Sequence, residues 1–99
     1  QWFHLPIEDD HAPEQEFITA WGVAGEKVHA LLASGKSIAI HCKGGSGRTG
    51  LVAAQILVER GVPLDEVIER VRAVRPGALQ IPAHQIYIQQ VAQHIVANA

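Results

Sequence analysis

Short apolar runs at two places in the chain predict β-strands. The first, WFHLPI at residues 2–7, is closed by Pro6 and the acidic residues that follow it. The second, SIAIH at residues 37–41, contains β-branched residues and comes shortly after a glycine. Short continuous apolar runs of this kind are typical of strands buried in a sheet. We therefore expect the second run to be a central strand.

The remaining apolar residues recur at spacings of three and four, which predicts amphipathic helices. Proline and glycine punctuate this pattern, because proline is favoured in the first turn of a helix and glycine just after its end. The pattern predicts four helices, over residues 13–35, 48–61, 63–74 and 82–99.

The order of strand, glycine-rich turn and helix between residues 37 and 61 indicates the fold class. We expect an α/β fold in which a central, mostly parallel sheet is flanked by helices. Open sheets of this kind bind ligands at the carboxyl ends of their strands. Backbone N–H groups in the turn and the positive end of the following helix dipole would converge there, and such a point binds a phosphate group.

The turn reads HCKGGSGRTG and holds the single cysteine of the chain. A thiolate is the reactive form of cysteine, and a helix N-terminus with a nearby cation lowers the pKa of a thiol. Arg48 follows Cys42 after five residues, and its planar fork matches two phosphoryl oxygens. The turn therefore predicts a thiolate nucleophile beside a phosphate clamp. The residues between the two, which supply backbone donors, are Lys43, Gly44, Gly45, Ser46 and Gly47.

Two other interpretations explain the turn less well. A purely structural turn accounts for the glycines but not for a cysteine and an arginine at its two ends. A nucleotide-binding P-loop fits the frame GxxxxGK[ST], with Cys42 at the first glycine and Arg48 at the lysine. A P-loop needs glycine at the first of these positions and lysine at the second, so the cysteine and the arginine found there argue against a P-loop.

Composition limits the class of protein further. The 99 residues suit one domain, and the net charge of −2 argues against a nucleic-acid partner, which would need a basic face. No apolar run reaches the about 20 residues of a membrane span, and acidic residues 8–10 stand where a secretory signal would be apolar. A single cysteine forms no internal disulfide, so we expect a reducing, cytoplasmic compartment. The six histidines lack metal-ligand spacing, so we expect no metal and no cofactor.

The turn resembles the His-Cys-x5-Arg-[Ser/Thr] signature of the cysteine-dependent protein tyrosine phosphatases. It is most similar to their small dual-specificity branch, which includes kinase-associated phosphatase and related bacterial phosphatases. The likeness extends from FHLPIEDDHAPE to RAVRPGALQIPAHQIY, nearly the whole chain. It implies a phosphoprotein phosphatase that hydrolyses phosphotyrosine, with phosphoserine and phosphothreonine as further candidates, through a phosphocysteine intermediate. Its partner would be a phosphorylated protein.

The resemblance also implies roles for single residues. Cys42 would be the nucleophile and Arg48 the phosphate clamp. His41 would help to set the acidity of the cysteine, and Thr49 would offer its hydroxyl to the thiolate. Gln80 falls where the family has a glutamine that orients the hydrolytic water, and an amide that caps the following helix is the alternative for it.

The family's general acid lies on an upstream loop, which the segment PIEDD matches with Asp9. Asp10 and Glu8 are the alternatives for this acid, and a solvated acidic turn is the interpretation without catalysis. Arg72 and Arg75 are expected to be solvated helix charges, and a place on the flank of the site is the alternative for them.

The chain departs from the family pattern at both ends of the likeness. The family's second glutamine, often four residues after the first, is His84 here. The strands that precede Trp2 in family domains are missing. Residues 1–99 are therefore expected to be a single phosphatase domain that is either a piece of a longer protein or built on an unusually small sheet.

Two other functions compete with the phosphoprotein phosphatase. Phosphoinositide phosphatases of the tensin type share Lys43 but have a second lysine where Ser46 stands, so a phosphoprotein is favoured over a polyanionic lipid. A catalytically silent phosphate-binding module is the third candidate, and the intact Cys42 and Arg48 argue against it.

Overall fold

The computed structural model describes residues 15–39 and 48–97, which form four helices. These helices are α1 (Gln15–Ala33), α2 (Arg48–Glu59), α3 (Leu64–Val74) and α4 (Pro82–Ala97). Each begins and ends close to the positions that the apolar spacing predicts, so the predicted helices are confirmed. In this part of the chain, no helix is long and apolar enough to cross a membrane.

Local chemistry explains where these helices start and stop. Gly35 and Gly61 follow α1 and α2 with φ angles of 83° and 93°. This left-handed conformation ends a helix without a steric penalty only at glycine. Helix α3 begins after Pro63 and carries Asp65 and Glu66 in its first turn, where the helix dipole favours acidic side chains.

The prediction of an α/β fold with a central, mostly parallel sheet is wrong. The described residues lie in helices or in the turns and coil between them, and none of them is in a strand. Residues 37–39, part of the predicted central strand, are coil, and Ile38 packs against the apolar cluster of α1 and α2. A strand is stable when a neighbour completes its ladder of hydrogen bonds, and the described part of the chain supplies no such neighbour. The predicted strand at residues 2–7 lies outside the described residues.

Helix α2 is the centre of the described core, because it is buried on two faces. Eight of its 12 residues are buried, which is typical of a helix packed inside a domain. The cluster with α3, α4 and the loop between them consists of Leu51, Ala54, Val58, Val67, Val71, Ala78, Leu79 and Ile88. The cluster with α1 consists of Phe17, Trp21, Val28, Val52 and Ile56.

A polar cluster at the C-terminal end of α2 links that helix to α1 and α4. The carboxylate of Glu59 accepts hydrogen bonds from Trp21 Nε1 at 2.8 Å and from Gln55 Nε2 at 3.0 Å, and its Oε1 lies 2.7 Å from His29 Nε2. The hydroxyl of Tyr87 on α4 donates to Gln55 Oε1 at 2.6 Å. Burial raises the pKa of Tyr87 to about 12, and the charge of Glu59 acts in the same direction. The cluster fixes one end of α2, and the predicted phosphate loop leads into the other.

Candidate active site

The N-terminus of α2 carries two of the predicted site residues. Arg48 is the first residue of the helix and is half-buried, and Thr49 follows it and is 7% exposed. The first amides of a helix have no partner within the helix, and together with the positive end of the dipole they favour an anion. The first turn of α2 contains no acidic residue. This end of the helix can therefore attract an anion from solution.

The hydroxyl of Thr49 is buried, and its Oγ1 has no hydrogen-bond partner among the described residues. Buried hydroxyls are nearly always paired, because an unpaired one has lost its bonds to water. The role predicted for Thr49, a hydrogen bond to the Cys42 thiolate, requires such a hydroxyl. That role stays a prediction.

Most of the other predicted site residues lie outside the part of the chain that the structure describes. They are the nucleophile Cys42, the acid Asp9 with its alternatives Asp10 and Glu8, the auxiliary His41, and the loop residues Lys43, Gly44, Gly45, Ser46 and Gly47. Their roles also stay predictions.

Gly50, the third residue of α2, is where the loop between α3 and α4 touches this helix. A Cβ atom on Gly50 would stand 2.4 Å from the Cβ of Ala78 and 3.3 Å from Cγ1 of Val71. Real Cβ atoms do not approach one another as closely as the first of these distances, so the contact requires glycine. No role was predicted for Gly50, although a glycine inside a helical pattern often signals a close contact. The contact packs the loop against the turn that begins with Arg48.

Side chains from both flanking helices hold this loop. Arg72 on α3 donates from Nε to the carbonyl of Ala78 at 3.2 Å and from Nη2 to the carbonyl of Leu79 at 2.6 Å. Gln85 on α4 donates from Nε2 to the same Leu79 carbonyl at 2.9 Å. Arg72 is therefore bound to the backbone of the loop and is not a solvated helix charge.

Gln80 comes directly after the residue whose carbonyl is held in this way, and its side chain is exposed. Its Nε2 donates to the carbonyl of Pro76 at 3.2 Å, so in this structure the amide bonds to its own loop and does not cap α4. His84, at the position of the family's second glutamine, is fully buried in α4. The proximity of Ala78 to Gly50 keeps the loop of Gln80 beside the start of α2.

A cavity of about 220 Å³ borders the same loop and is lined by Ile68, Arg72, Leu79, Gln85, Ile88 and Gln89. The predicted site residues that the structure describes, Arg48, Thr49 and Gln80, are not in this lining. Within residues 15–39 and 48–97, no group of histidine, cysteine and carboxylate side chains is arranged to hold a metal ion.

Comparison with known proteins identifies the family. A family model described as "Polymorphic toxin system, DSP-PTPase phosphatase" matches residues 1–62. The chain belongs to this family. The matched residues include the whole turn HCKGGSGRTG, and the predicted resemblance to the cysteine-dependent tyrosine phosphatases and their dual-specificity branch is confirmed.

Curated relatives agree with this assignment over most of the chain. Tyrosine-protein phosphatase CDC14 of Saccharomyces cerevisiae is 34% identical over 92 residues, which cover 91% of this chain and 16% of the relative. Phosphatidylinositol 3,4,5-trisphosphate 3-phosphatase and protein-tyrosine-phosphatase PTEN1 of Arabidopsis thaliana is 33% identical over 90 residues, or 86% of this chain and 21% of the relative. Human protein tyrosine phosphatase type IVA 3 is 30% identical over 74 residues, which cover 75% of this chain and 42% of the relative. The chain thus spans about a sixth of the length of CDC14.

Proposed function

We propose that this chain is a phosphoprotein phosphatase that hydrolyses phosphotyrosine, with phosphoserine and phosphothreonine as further substrates. The observation that carries the proposal is the Cys-x5-Arg-Thr motif at the start of α2, where the hydroxyl of Thr49 is buried with no partner among the described residues. Membership of the phosphatase family and the similarity to tyrosine phosphatases support it.

In the first step, the Cys42 thiolate attacks the phosphorus atom of the substrate. The S–P bond forms, the P–O bond to the substrate breaks, and Asp9 protonates the leaving oxygen. The fork of Arg48 and the backbone amides of residues 43–47 bind the phosphoryl oxygens and stabilise the charge that develops on them. His41 and the hydroxyl of Thr49 stabilise the thiolate form before the attack.

In the second step, a water molecule oriented by Gln80 attacks the phosphocysteine. The new O–P bond forms, the S–P bond breaks, and the Asp9 carboxylate takes the proton from the water. Inorganic phosphate leaves, and the Cys42 thiolate is regenerated. The same acid therefore donates a proton in one step and accepts one in the next.

A phosphoinositide phosphatase is the second candidate. The 33% identity to PTEN1, whose name includes both a lipid and a protein phosphatase activity, favours it, and Lys43 supplies one cation for a polyanionic headgroup. Ser46 stands where tensin-type enzymes have a second lysine, so the loop carries less positive charge. The phosphoprotein is therefore the preferred substrate.

We further propose that the protein acts in a reducing compartment such as the cytoplasm. A thiolate nucleophile is lost on oxidation, and a chain with one cysteine has no second thiol to form a protective internal disulfide.

Hydrolysis of an aryl phosphate by the purified chain, with and without the Cys42→Ser substitution, tests the proposal. We expect turnover by the wild type and none by the variant, which should still bind phosphate because the amides and Arg48 remain. Activity of the variant within tenfold of the wild type would exclude Cys42 as the nucleophile. A wild type that binds phosphate without turnover would identify a silent module. Parallel assays with a phosphotyrosine peptide and with phosphoinositide dispersions distinguish the two substrate classes.

The role of Arg48 is tested by Arg48→Lys, with Arg70→Lys as the matched control. A lysine is a point charge that does not reproduce the fork, so we expect a loss of about 3 kcal/mol of transition-state stabilisation, similar to the loss of a dedicated oxyanion donor. Arg70 forms an exposed pair with Glu66 and should tolerate lysine. Equal activity of the two variants would mean that Arg48 is no clamp.

A further inference from the structure

Leu79, in the loop between α3 and α4, has an unusual backbone conformation. Its φ angle is 59°, and among the described residues it is the only non-glycine residue with a positive φ. Residues other than glycine rarely adopt this left-handed backbone conformation, because their Cβ atom crowds the following carbonyl oxygen. Strained residues of this kind persist only where surrounding contacts fix them.

Three hydrogen bonds and the core supply those contacts. The Leu79 carbonyl accepts from Arg72 Nη2 at 2.6 Å and from Gln85 Nε2 at 2.9 Å, and Arg72 Nε also reaches the carbonyl of Ala78 at 3.2 Å. The Leu79 side chain is 1% exposed within the core cluster around α2. The planar guanidinium holds two consecutive carbonyls in one fixed geometry, which a single point donor does not do.

The same loop also contacts the helix that begins with Arg48. Ala78 lies against Gly50 in the first turn of α2, the turn that Arg48 begins. The Leu79 carbonyl is part of the peptide that joins Leu79 to Gln80, so the direction of this peptide sets where Gln80 starts. A change at the clamp therefore moves Gln80 relative to the start of α2.

We propose that Arg72 and Gln85 are positioning residues for the second chemical step, and that they act on it through Gln80. The inference rests on the proposed function and deepens it. In that step a water oxygen bonds to phosphorus, the bond from Cys42 sulfur to phosphorus breaks, and the Asp9 carboxylate takes the proton. Neither positioning residue touches the reacting atoms. Their removal slows hydrolysis of the phosphocysteine and leaves its formation unchanged.

Rapid-mixing kinetics with an aryl phosphate that has a good leaving group separates the two steps. The burst of phenol reports formation of the phosphocysteine, and the steady state reports its hydrolysis once that step is slow. For Arg72→Ala we expect a burst rate within twofold of the wild type, a steady-state rate at least tenfold lower, and phosphoenzyme that accumulates. Arg70→Ala on the same helix is the matched control and should change neither rate by more than twofold.

A double-mutant cycle with Gln80→Ala shows whether Arg72 acts through Gln80. If it does, Arg72→Ala changes the hydrolysis rate by less than twofold when Gln80 is already alanine. The proposal would be overturned if the losses caused by Arg72→Ala and Gln80→Ala multiplied in the double variant. It would also be overturned if Arg72→Ala lowered the burst rate and the steady-state rate equally. An unfolded fraction lowers the burst amplitude and the steady-state velocity in the same proportion, so the steady-state rate is divided by the burst amplitude before the variants are compared.

Two milder variants carry the same test if Arg72→Ala does not fold. Gln85→Met removes the hydrogen bond from Gln85 to the Leu79 carbonyl at similar side-chain volume. Arg72→Lys replaces the two donor nitrogens of the guanidinium by a single one. Both variants should slow hydrolysis at least threefold with an unchanged burst rate. Unchanged steady-state rates in both would overturn the proposal. A wild type that releases no phenol would instead overturn the proposed function, which distinguishes the two failures.

Discussion

Gly50 and Ala78 are in such close contact that a Cβ on the glycine would stand 2.4 Å from the Cβ of the alanine. Neither group is flexible, so Gly50→Ala must push the loop between α3 and α4 away from α2. Overpacking costs about 1–3 kcal/mol, and at a separation as short as 2.4 Å we expect the upper part of that range, which exceeds the gain of roughly 1 kcal/mol in helix propensity. We expect a lower free energy of unfolding, measured by urea titration, together with reduced phosphatase activity.

Gly22 in α1 is the matched control, because it is exposed and a Cβ there would meet no atom within 4 Å. Gly22→Ala should stabilise the protein by up to about 1 kcal/mol through helix propensity alone. If Gly50→Ala stabilised the protein to the same degree, the close contact would not exist in solution.

The Glu59 carboxylate makes a prediction about stability. Glu59→Ala leaves the indole N–H of Trp21 and the amide of Gln55 without their charged acceptor, and such bonds contribute about 1.5–3 kcal/mol each. Because the Glu59 side chain is 20% exposed, water replaces part of these bonds, and we expect the free energy of unfolding to fall by about 2–4 kcal/mol, less than their sum. Glu66→Ala removes only an exposed pair with Arg70 and should change it by less than about 1 kcal/mol. Equal effects of the two substitutions in urea titrations would contradict the network.

Tyr87 predicts how stability changes at alkaline pH. Its pKa is about 12 in the folded protein and about 10 in an unfolded chain, so only the unfolded state loses the proton between these values. The stabilisation is fully present below pH 10 and decreases as the pH rises toward 12. The chain has one tyrosine, so the phenolate absorbance reports this group alone. A midpoint near pH 10 in the folded protein would contradict the burial of the hydroxyl, and Tyr87→Phe should remove this part of the pH dependence.

The proposed general acid predicts the shape of the pH–rate profile. Asp9→Asn should remove the basic limb, because that limb reports loss of the proton that the acid donates. The rate should fall by about 100-fold or more, most strongly for substrates with poor leaving groups. Asp10→Asn should have a much smaller effect. A larger loss at Asp10 than at Asp9 would move the assignment to Asp10.

The proposed thiolate predicts a specific response to peroxide. A low-pKa, accessible thiolate is the form that peroxide oxidises, so Cys42 should become a sulfenic acid, and a small thiol should restore activity. Bound phosphate should protect it. Intact-mass spectra should show no oxygen adduct on Cys42→Ser under the same treatment. An unmodified Cys42 in the absence of phosphate would contradict the enzymatic proposal.

The helices were predictable because their signals are local. The spacing of apolar residues, the glycines that follow α1 and α2, and Pro63 before α3 each act within a few residues of the helix that they define. Whether a strand forms was not predictable in this way, because a strand depends on a neighbouring strand that is often distant in the sequence. Ile38 shows the difference: its apolar side chain was expected in a sheet, and it packs against helices.

The candidate site was predictable where the residue types and spacing of a short motif indicate a specific reaction. The Cys-x5-Arg-Thr spacing indicated the family and placed Arg48 at the start of a helix, as the structure has it. The function of Arg72 was not predictable, because it depends on the path of a loop six and seven residues further along the chain. That path in turn depends on the left-handed conformation of Leu79, which its sequence context does not signal.

Helix α2 connects the polar cluster at Glu59 rigidly to Arg48 in the candidate active site. The helix has 12 residues, or about 18 Å at about 1.5 Å per residue, with Arg48 at one end and Glu59 at the other. For a rigid rod of that length, a tilt of about 3° at the Glu59 end displaces the other end by about 1 Å, and a misplacement of about 1 Å can slow an enzyme about 100-fold. Helix α2 therefore transmits a tilt about its Glu59 end to Arg48 at its other end. We therefore expect Trp21, which bonds to Glu59 at the opposite end of the helix, to affect the position of Arg48.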